Sequence, residues 1–359
     1  MGQPVNEPIM GFAPGSPERE ALQNEMDRQL GEVIEIPCVV NGELIFTGNT
    51  VTQVVPHDHG HILASDHLAG REEIEAACRA AVGAQQSWID LGLEGRCAIF
   101  ERCADLLAGD WRMRVNASTM LNQSKTAFQA EIDSACELID FWRFNCHYAR
   151  GFHDDLQPLV SPAGVENSTE IRPLEGFVLS ITPFNFTSIA ANLPSAPAIV
   201  GCTSVWKPSR NSYHSNYVLM QLMMDAGLPP GVINFLPGSG AEITGAALSN
   251  PDFAGLHFTG STSTFQGLWQ EIAKALPDLR SYPRIVGETG GKDFVVAHPD
   301  CDHRGLLVAL LRGSFEYQGQ KCSAASRAYI PSSVWLSLIH ISEPTRRTPI
   351  SYAVFCVKK

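Results

Sequence analysis

Two polar islands towards the end of the chain contain side chains that could carry out covalent chemistry. Cys322 lies in the run EYQGQKCSA (316–324), and Glu288 lies in the run GETGGK (287–292). A cysteine thiol is a fair nucleophile at neutral pH, and the neighbouring cation of Lys321 would favour its thiolate form. A carboxylate can activate the water molecule that releases a covalently bound intermediate. The sequence therefore predicts covalent catalysis, with Cys322 as the nucleophile and Glu288 as the general base.

The region before these islands has the pattern of a parallel sheet. Short apolar segments occur at 177–181, 203–206, 232–236 and 255–258. They alternate with helical stretches, which is typical of βαβ units. Polar loops follow three of them, TPFNF at 182–186, KPS at 207–209 and FTGST at 258–262. Because ligands of open α/β sheets bind at strand ends, we expect these loops to form a binding site.

Helical spacing of apolar side chains dominates residues 71–153 and predicts several amphipathic helices. Phe141, Trp142 and Phe144 lie too close together to share one helix face, so at least one must pack against a different neighbour. Just before this region are four histidines, His57, His59, His61 and His67. Their spacing is not that of a common structural zinc site and no cysteine lies close by, so we predict no metal and a solvated loop.

Composition narrows the classes of partner. The 359 residues are 44% hydrophobic and 18% charged, which is ordinary for a globular protein with more than one domain. A formal net charge of −12 argues against a nucleic-acid partner. No stretch approaches the roughly 20 apolar residues of a membrane span, so we expect no membrane partner. Ten cysteines without CxxC pairing indicate a reducing compartment.

Taken in order, the motifs resemble those of the aldehyde dehydrogenase superfamily. They are Asn185 in PFNF, Lys207 in WKPS, Gly260 and Ser261 in FTGST, Glu288 in ETGGK and Cys322 in GQKCSA, and the resemblance runs from about residue 35 to 335. It implies an α/β fold, with a Rossmann-type NAD-binding domain and an incomplete α/β catalytic domain. The FTGST turn does not match the common GxGxxG fingerprint, but the superfamily uses a variant of that fold.

The resemblance also implies a role for each matched residue. Cys322 would attack an aldehyde carbon to give a thiohemiacetal, and Asn185 with the Cys322 backbone N–H would hold its oxyanion. Glu288 would then activate the water that hydrolyses the resulting thioester. The implied cofactor-binding residues are Thr182, Phe184, Lys207, Ser209, Gly260 and Ser261. NAD is the expected cofactor. Arg210 stands where many NAD-using relatives carry an acid that would repel a 2′-phosphate, so NADP stays open as the less favoured cofactor.

The motifs PFNFT, FEYQGQKCSAASR and AEIDSACELIDFWRFN are most similar to those of the branch of the superfamily that oxidises glutamate semialdehyde to glutamate in proline breakdown. For this small aldehyde substrate, Ser323 could hydrogen-bond the carboxylate and Phe186 could pack along the aliphatic stem. The same resemblance implies homo-oligomers and the mitochondrial matrix, although no presequence is visible and a cytoplasmic location is the alternative.

Domain boundaries follow from the resemblance. Residues 1–285 would form the N-terminal helices and the cofactor-binding domain, with a candidate oligomerisation segment near 155–173. Residues 286–335 would begin the catalytic domain, of which we expect a later part to be missing. From Leu336 onwards the strand and helix pattern is not expected to continue, and residues 336–359 are interpreted as an artefactual tail. Two alternatives stay open: a non-catalytic fragment that binds nucleotide or a full-length subunit, and a cysteine esterase without a cofactor.

Overall fold

The computed structural model describes residues 3–157 and 160–342. The chain divides into two compact units after Glu288, Met1–Glu288 and Thr289–Lys359. From the resemblance we expect this boundary between residues 285 and 286, and the roles of the two parts stay predictions. Within the described ranges, none of the helices combines the length and the apolar character needed to cross a membrane.

Helices make up most of the secondary structure. They are α1 Pro17–Leu30, α2 Arg71–Asp90, α3 Gly92–Ala108, α4 Arg112–Gln123, α5 Ala127–Ala130, α6 Glu137–Asp155, α7 Thr187–Ile199, α8 Tyr213–Asp225, α9 Gly240–Leu248, α10 Thr262–Ala275, α11 His303–Phe315 and α12 Ser332–Ser342. A π-helix, Glu131–Cys136, lies directly before α6.

The strands are shorter. They are β1 Ile34–Ile36, β2 Cys38–Val40, β3 Glu43–Ile45, β4 Thr50–Val55, β5 Asp58–His67, β6 Phe177–Ile181, β7 Thr203–Lys207, β8 Ile233–Phe235, β9 Phe253–Thr259, β10 Arg284–Glu288, β11 Phe294–Val296 and β12 Arg327–Tyr329.

A seven-stranded sheet in the order β10-β9-β6-β7-β8-β2-β3 organises the first unit. The strands from β10 to β8 in this order are parallel, and β2 pairs antiparallel with both β8 and β3. Each strand from β6 to β9 is followed by a helix, α7 to α10. The four predicted strands and their βαβ pattern are therefore confirmed. Parallel pairing requires such crossover helices because the chain must return to the same end of the sheet.

The predicted helical layer is also confirmed, with α2, α3, α4 and α6 packed in one common core. The three neighbouring aromatic side chains of α6 separate as expected. Trp142 is buried and its Nε1 donates to Ser195 Oγ in α7, at 2.9 Å. Phe144 instead contacts the ring of Tyr148, with 6.3 Å between ring centroids. The π-helix before α6 is a feature that the sequence analysis does not predict.

Two prolines in α7 attach this helix to the sheet. Pro197 has no N–H to donate, so the carbonyl of Leu193 is left without its usual partner in the helix. That carbonyl instead accepts from Ser180 Oγ of β6 at 3.2 Å and from His257 Nδ1 of β9 at 2.8 Å. Because a carbonyl can only accept, His257 carries its proton on Nδ1. Leu193 lies in the middle of α7, so these bonds fix the helix that follows Asn185 and Phe186 relative to β6 and β9.

The predicted loop around the four histidines is wrong, although His57 and His59 are exposed to solvent as expected. His57 lies in the turn before β5, and the other three histidines lie within that strand. β5 pairs antiparallel with β4 and parallel with β1, so its backbone groups are satisfied by a sheet. His67 is buried and its Nδ1 accepts from Gly48 N at 3.0 Å. The first half of β5 faces solvent and is polar, so the alternation of apolar and polar residues that is typical of a strand is not visible there.

In the second unit, β11 and β12 form a parallel pair. Ala297, Leu306, Val334 and Leu338 form a small apolar cluster with the helices α11 and α12. Because α12 continues through Ser342 and buries Leu338, the expected break in pattern at Leu336 is wrong for residues 336–342. The rest of that segment, 343–359, lies outside the described residues, as do residues 158–159 of the candidate oligomerisation segment.

A buried carboxylate in β5 makes the stability of the first unit depend on pH. Asp66 is 1% exposed, and neither carboxylate oxygen has a hydrogen-bond partner in the part of the chain that the structure describes. Burial raises the pKa of Asp66 to about 7, and the charge of Arg210 only partly opposes this. The folded state thus favours the protonated acid, so its contribution to stability is present at about pH 4 and is lost as the pH rises through about 7.

We expect Asp66→Asn to raise the free energy of unfolding at pH 8, by at most roughly 4 kcal/mol, and to have a much smaller effect at pH 5. Urea unfolding at both pH values measures this difference. Glu35→Gln is the matched control, because the Glu35 side chain in the neighbouring strand is 66% exposed. Equal effects of Asp66→Asn at the two pH values would contradict the assignment of a buried, protonated Asp66.

Candidate active site

Predicted site residues lie at the carboxyl ends of four consecutive parallel strands. Glu288 is the last residue of β10, and Gly260 and Ser261 directly follow β9. Thr182 follows β6, and Lys207 ends β7. Since these strands are neighbours in the order β10-β9-β6-β7, the four loops that the sequence singles out share one edge of the sheet. This edge is where ligands of open α/β sheets bind.

Backbone and side-chain hydrogen bonds hold this edge together. Gly260 N donates to the carbonyl of Glu288 at 3.1 Å, and Thr182 N donates to the carbonyl of Lys207 at 3.2 Å. Thr182 is buried, and its Oγ1 accepts from Trp206 Nε1 at 3.0 Å. The side chain of Thr182 therefore supports the strand end, while the side chain of Glu288 is exposed. Burial lowers the pKa of His257, and the nearby Glu288 carboxylate acts in the opposite direction.

Ser261 begins α10 and satisfies its first turn. The hydroxyl of Ser261 is the N-cap of that helix and accepts from Thr264 N at 3.2 Å. A serine at this position stabilises a helix because the first N–H groups have no partner inside it. Gly260 is required just before it, since a Cβ there would lie 2.7 Å from the ring of Phe258. The β9–α10 turn therefore directs the helix N-terminus towards the carboxyl edge.

A cleft of about 990 Å³ opens beside Lys207. The residues that line it are Ile181, Lys207, Gly240, Ala241, Thr244, Gly245, Leu248, Ser249, Thr264, Gly267, Leu268, Glu271, Lys274, Ala275 and Asp278. They belong mainly to α9 and α10. Burial lowers the pKa of Lys207, and among the described residues no carboxylate forms an ion pair with its ammonium group. A largely buried cation with unused donors fits a cofactor that presents hydroxyl groups.

Ser209 and Arg210 continue the loop after β7. Ser209 precedes a short 3-10 turn and its carbonyl accepts from Ser212 N at 3.1 Å. Arg210 is exposed, and its own carbonyl accepts from Gln53 Nε2 at 2.7 Å. The charge of Arg210 acts on the buried Asp66. The arginine that the sequence relates to cofactor choice therefore also compensates part of a buried negative charge.

The loop that contains Phe184, Asn185 and Phe186 packs against residues that the sequence analysis does not identify. Phe184 and Asn185 are half-buried and Phe186 is buried. Lys125 Nζ donates to the Asn185 carbonyl and lies 4.5 Å from the centre of the Phe186 ring. Glu137 is another missed residue, and its Oε2 accepts from Ser188 Oγ at 2.5 Å. The available signal was that Lys125 and Glu137 are charged residues in a region with a helical pattern, but their spacing alone indicates no partner.

In the second unit, Cys322 and Ser323 lie in a turn between a short 3-10 segment and β12. Tyr317, Gln318 and Gly319 all have positive φ angles, which turn the chain sharply before Cys322. Cys322 is half-buried and Ser323 is exposed. Lys321 Nζ lies 3.8 Å from Glu316 Oε2, so the cation next to Cys322 is partly neutralised by a carboxylate.

The glycines of the ETGGK loop permit a close approach to Cys322. A Cβ at Gly291 would overlap the carbonyl oxygen of Cys322 and lie 3.2 Å from its Cα. Only glycine leaves room for this contact, because overlap with backbone atoms cannot be relieved by rotating a side chain. The two polar islands of the sequence are therefore in backbone contact at Gly291 and Cys322.

We expect Gly291→Ala to displace the Cys322 turn and to destabilise the second unit by about 3 kcal/mol. Chemical denaturation measures the stability, and peptide mass spectrometry measures the alkylation rate of Cys322. That rate can be followed separately because seven of the nine described free cysteines are buried. Gly313→Ala is the matched control, since its added methyl would lie at an ordinary 3.6 Å from Ala325 Cβ. If both variants behave alike, the contact at Gly291 imposes no constraint.

Comparison with known proteins agrees with this arrangement. The model of the aldehyde dehydrogenase family matches residues 46–344. Delta-1-pyrroline-5-carboxylate dehydrogenase of Agaricus bisporus is 48% identical over 333 residues, which are 92% of this chain and 60% of that protein. The human protein of the same name, designated mitochondrial, is 43% identical over 331 residues, 92% of this chain and 58% of that protein.

Solved structures give the same result. The crystal structure of delta-pyrroline-5-carboxylate dehydrogenase from Mycobacterium tuberculosis bound with NAD has a TM-score of 0.91 and 49% identity, and the match covers 95% of this chain and 64% of that one. This chain thus spans about 60% of the length of the curated relatives it matches. The predicted superfamily resemblance and α/β fold are both confirmed. The chain belongs to the aldehyde dehydrogenase family.

Proposed function

We propose that this chain acts in the NAD-dependent oxidation of glutamate semialdehyde to glutamate. The observation that carries this proposal is the line of Glu288, Ser261, Thr182 and Lys207 along the carboxyl edge of four neighbouring parallel strands. The relatives named above also support the proposal, because they are delta-1-pyrroline-5-carboxylate dehydrogenases. Glutamate semialdehyde is the open-chain form of the compound in that name.

The proposed chemistry is assigned to three residues. The Cys322 thiolate forms a bond to the aldehyde carbon and gives a thiohemiacetal. The amide of Asn185 and the backbone N–H of Cys322 donate hydrogen bonds to the resulting oxyanion. After oxidation to the thioester, Glu288 accepts a proton from the water that attacks its carbonyl carbon. Glutamate then leaves, and the Cys322 thiolate is regenerated.

The residues around the cleft fit a dinucleotide. Lys207 supplies a largely buried ammonium for ribose hydroxyls, and the N-terminus of α10 after Gly260 and Ser261 suits a pyrophosphate. Thr182, Phe184 and Ser209 complete the proposed contacts. When bound, the nicotinamide supplies the hydride acceptor. NAD is preferred because a Mycobacterium tuberculosis structural neighbour was solved with NAD, while Arg210 leaves NADP as the less favoured alternative.

The substrate, partners and location remain part of the proposal. Ser323 would bind the carboxylate of the semialdehyde and Phe186 would contact its aliphatic stem. Residues 1–285 would bind the cofactor, residues 286–335 would begin the catalytic domain, and a segment near 155–173 would contribute to a homo-oligomer. We assign the protein to the mitochondrial matrix because several relatives are designated mitochondrial.

The test is the formation of NADH by the purified chain with glutamate semialdehyde, compared with a simple aliphatic aldehyde and with NADP in place of NAD. The proposal expects turnover with NAD and a preference for glutamate semialdehyde. Binding of NAD without any turnover would support a non-catalytic nucleotide-binding function instead. Ester cleavage without cofactor and without NADH formation would identify a cysteine esterase. Either of the last two outcomes would overturn the proposed activity.

A further inference from the structure

Lys125 is a charged residue inside the first unit that none of the predicted roles uses. Its side chain is fully buried, and its Nζ lies 2.7 Å from Asp133 Oδ2, which is also buried. The same ammonium donates to the carbonyl of Asn185 and lies over the ring of Phe186, 4.5 Å from its centre. A buried ammonium is retained only where charge and hydrogen bonds compensate its desolvation. Lys125 therefore contacts two consecutive residues of the Asn185–Phe186 segment.

The local backbone is built to hold Lys125 in this position. Ser124 ends α4 in the left-handed conformation, with φ of 56°, and so turns the chain before Lys125. Thr126 then caps α5, where its hydroxyl and Gln129 bond to each other's backbone N–H. Asp133 lies in the following π-helix, which is a segment type often found at functional sites. The two ends of the ion pair are therefore anchored by separate elements.

Contacts of the two residues that follow Asn185 fix the loop next to its carbonyl. Phe186 packs with Ile189 and Leu193 in a small apolar cluster. Thr187 Oγ1 accepts from Gln123 Nε2 at 2.8 Å and lies 2.8 Å from Thr119 Oγ1. A hydrogen bond to the Asn185 carbonyl sets the plane of the peptide that joins Asn185 to Phe186. Fixing that plane restrains the backbone from which the Asn185 side chain projects.

We propose that Lys125, held by Asp133, is a positioning residue that orients Asn185 as the oxyanion donor. Its kinetic effect rests on the proposed function, because Asn185 acts on the oxyanion only if that chemistry occurs. Its structural effect, the orientation of the Asn185 amide, can be measured without turnover. The two consequences allow the inference and the proposed function to fail separately.

The first variant is Lys125→Met, which keeps the aliphatic length and removes the donor. We expect kcat to fall about 10²-fold with little change in the KM for the aldehyde, because an oxyanion donor acts mainly in the transition state. In the background of Asn185→Ala, the same change should have no further effect on kcat, since Lys125 acts through Asn185. A merely structural role would lower kcat in both backgrounds.

The second measurement is the side-chain amide resonance of Asn185 in the chain with isotope-labelled asparagine, assigned by its loss in Asn185→Ala. We expect Lys125→Met to shift or split this resonance. Arg112→Met is the matched control, because it breaks a buried ion pair with Glu131 of the same π-helix and leaves both Lys125 and Asp133 in place. It should leave the resonance in place.

Lys125→Met removes the cation beside the buried carboxylate of Asp133 and can prevent folding. The double variant Lys125→Met/Asp133→Leu removes both charges and still removes the donor, so it gives the same readout in a folded protein. An unchanged Asn185 resonance in the folded variant would overturn the inference. A shifted resonance in a chain that never forms NADH would support the positioning role and reject the proposed function.

Discussion

Replacing Cys322 by alanine is expected to abolish aldehyde-dependent NADH formation, with a loss on the order of 10⁴-fold or more. The reason is that the proposed reaction runs through a covalent bond to this sulfur, and removing a nucleophile eliminates the whole pathway. Steady-state NADH formation with glutamate semialdehyde measures the loss. Binding of NAD should remain, because the proposed cofactor residues Lys207 and Ser261 lie in the first unit.

The matched control is Cys301→Ala, since Cys301 is the other half-buried cysteine among the described residues of the second unit. It should keep its turnover. Glu288→Gln provides a different contrast, because it removes the base for hydrolysis and not the nucleophile. It should release NADH once per active chain and then stop, with an acyl group on Cys322 detectable by mass spectrometry. Equal turnover in the parent chain and Cys322→Ala would rule out the covalent mechanism.

Glu131→Ala is expected to lower the free energy of unfolding by about 3–5 kcal/mol. Glu131 is fully buried, and its carboxylate accepts from Arg112 Nη2 at 2.5 Å, from Asn116 Nδ2 at 2.7 Å and from Met10 N at 2.8 Å. Burial by itself raises the pKa of Glu131, but these hydrogen bonds outweigh it and hold the pKa below its ordinary value. This stabilisation is therefore present at neutral pH and is lost as the pH falls.

Most of this cost comes from leaving Arg112 charged, buried and short of a partner. The double variant Arg112→Met/Glu131→Leu should therefore lose less stability than Glu131→Ala alone. Urea unfolding of the two single variants and the double variant forms a thermodynamic cycle that isolates the pair. Arg71→Ala, at an exposed ion pair with Glu75, should cost less than about 1 kcal/mol. Additive effects of the Arg112 and Glu131 changes would contradict the assignment of a coupled pair.

The sequence predicts well the buried parallel strands and the polar loops that follow them. The apolar segment 177–181 is β6, and the polar loops after β6, β7 and β9 lie on one edge of the sheet. A buried parallel strand must be a short, continuous apolar run, so its ends are visible as abrupt changes to polar residues. The same reasoning misses β5, because His59 and His61 lie on a solvent-facing stretch and interrupt the apolar pattern.

Long-range pairing is where prediction from the sequence stops. Lys125 and Asn185 are 60 positions apart, and no local pattern connects a helix terminus to a loop in another layer. The π-helix that contains Asp133 is also not predictable, because its wider turn produces no distinct pattern in the sequence. Lys321 stands beside Cys322 in the sequence, and its influence on the thiol stays a prediction; the structure adds Glu316, whose Oε2 lies 3.8 Å from Lys321 Nζ, as a partner that the sequence does not indicate.

The sequence by itself determined the family, the nucleophile and carboxylate candidates, and the strands whose ends hold the candidate site. These properties depend on residue type and on spacing within short segments, and both can be read directly from the amino-acid sequence. Only the tertiary structure decided that Gly291 must be a glycine to clear the Cys322 carbonyl and that Asp66 is buried without a hydrogen bond. It also decided that Lys125 is held between Asp133 and Asn185. Such constraints depend on distances and desolvation, and folding sets both by bringing remote segments together.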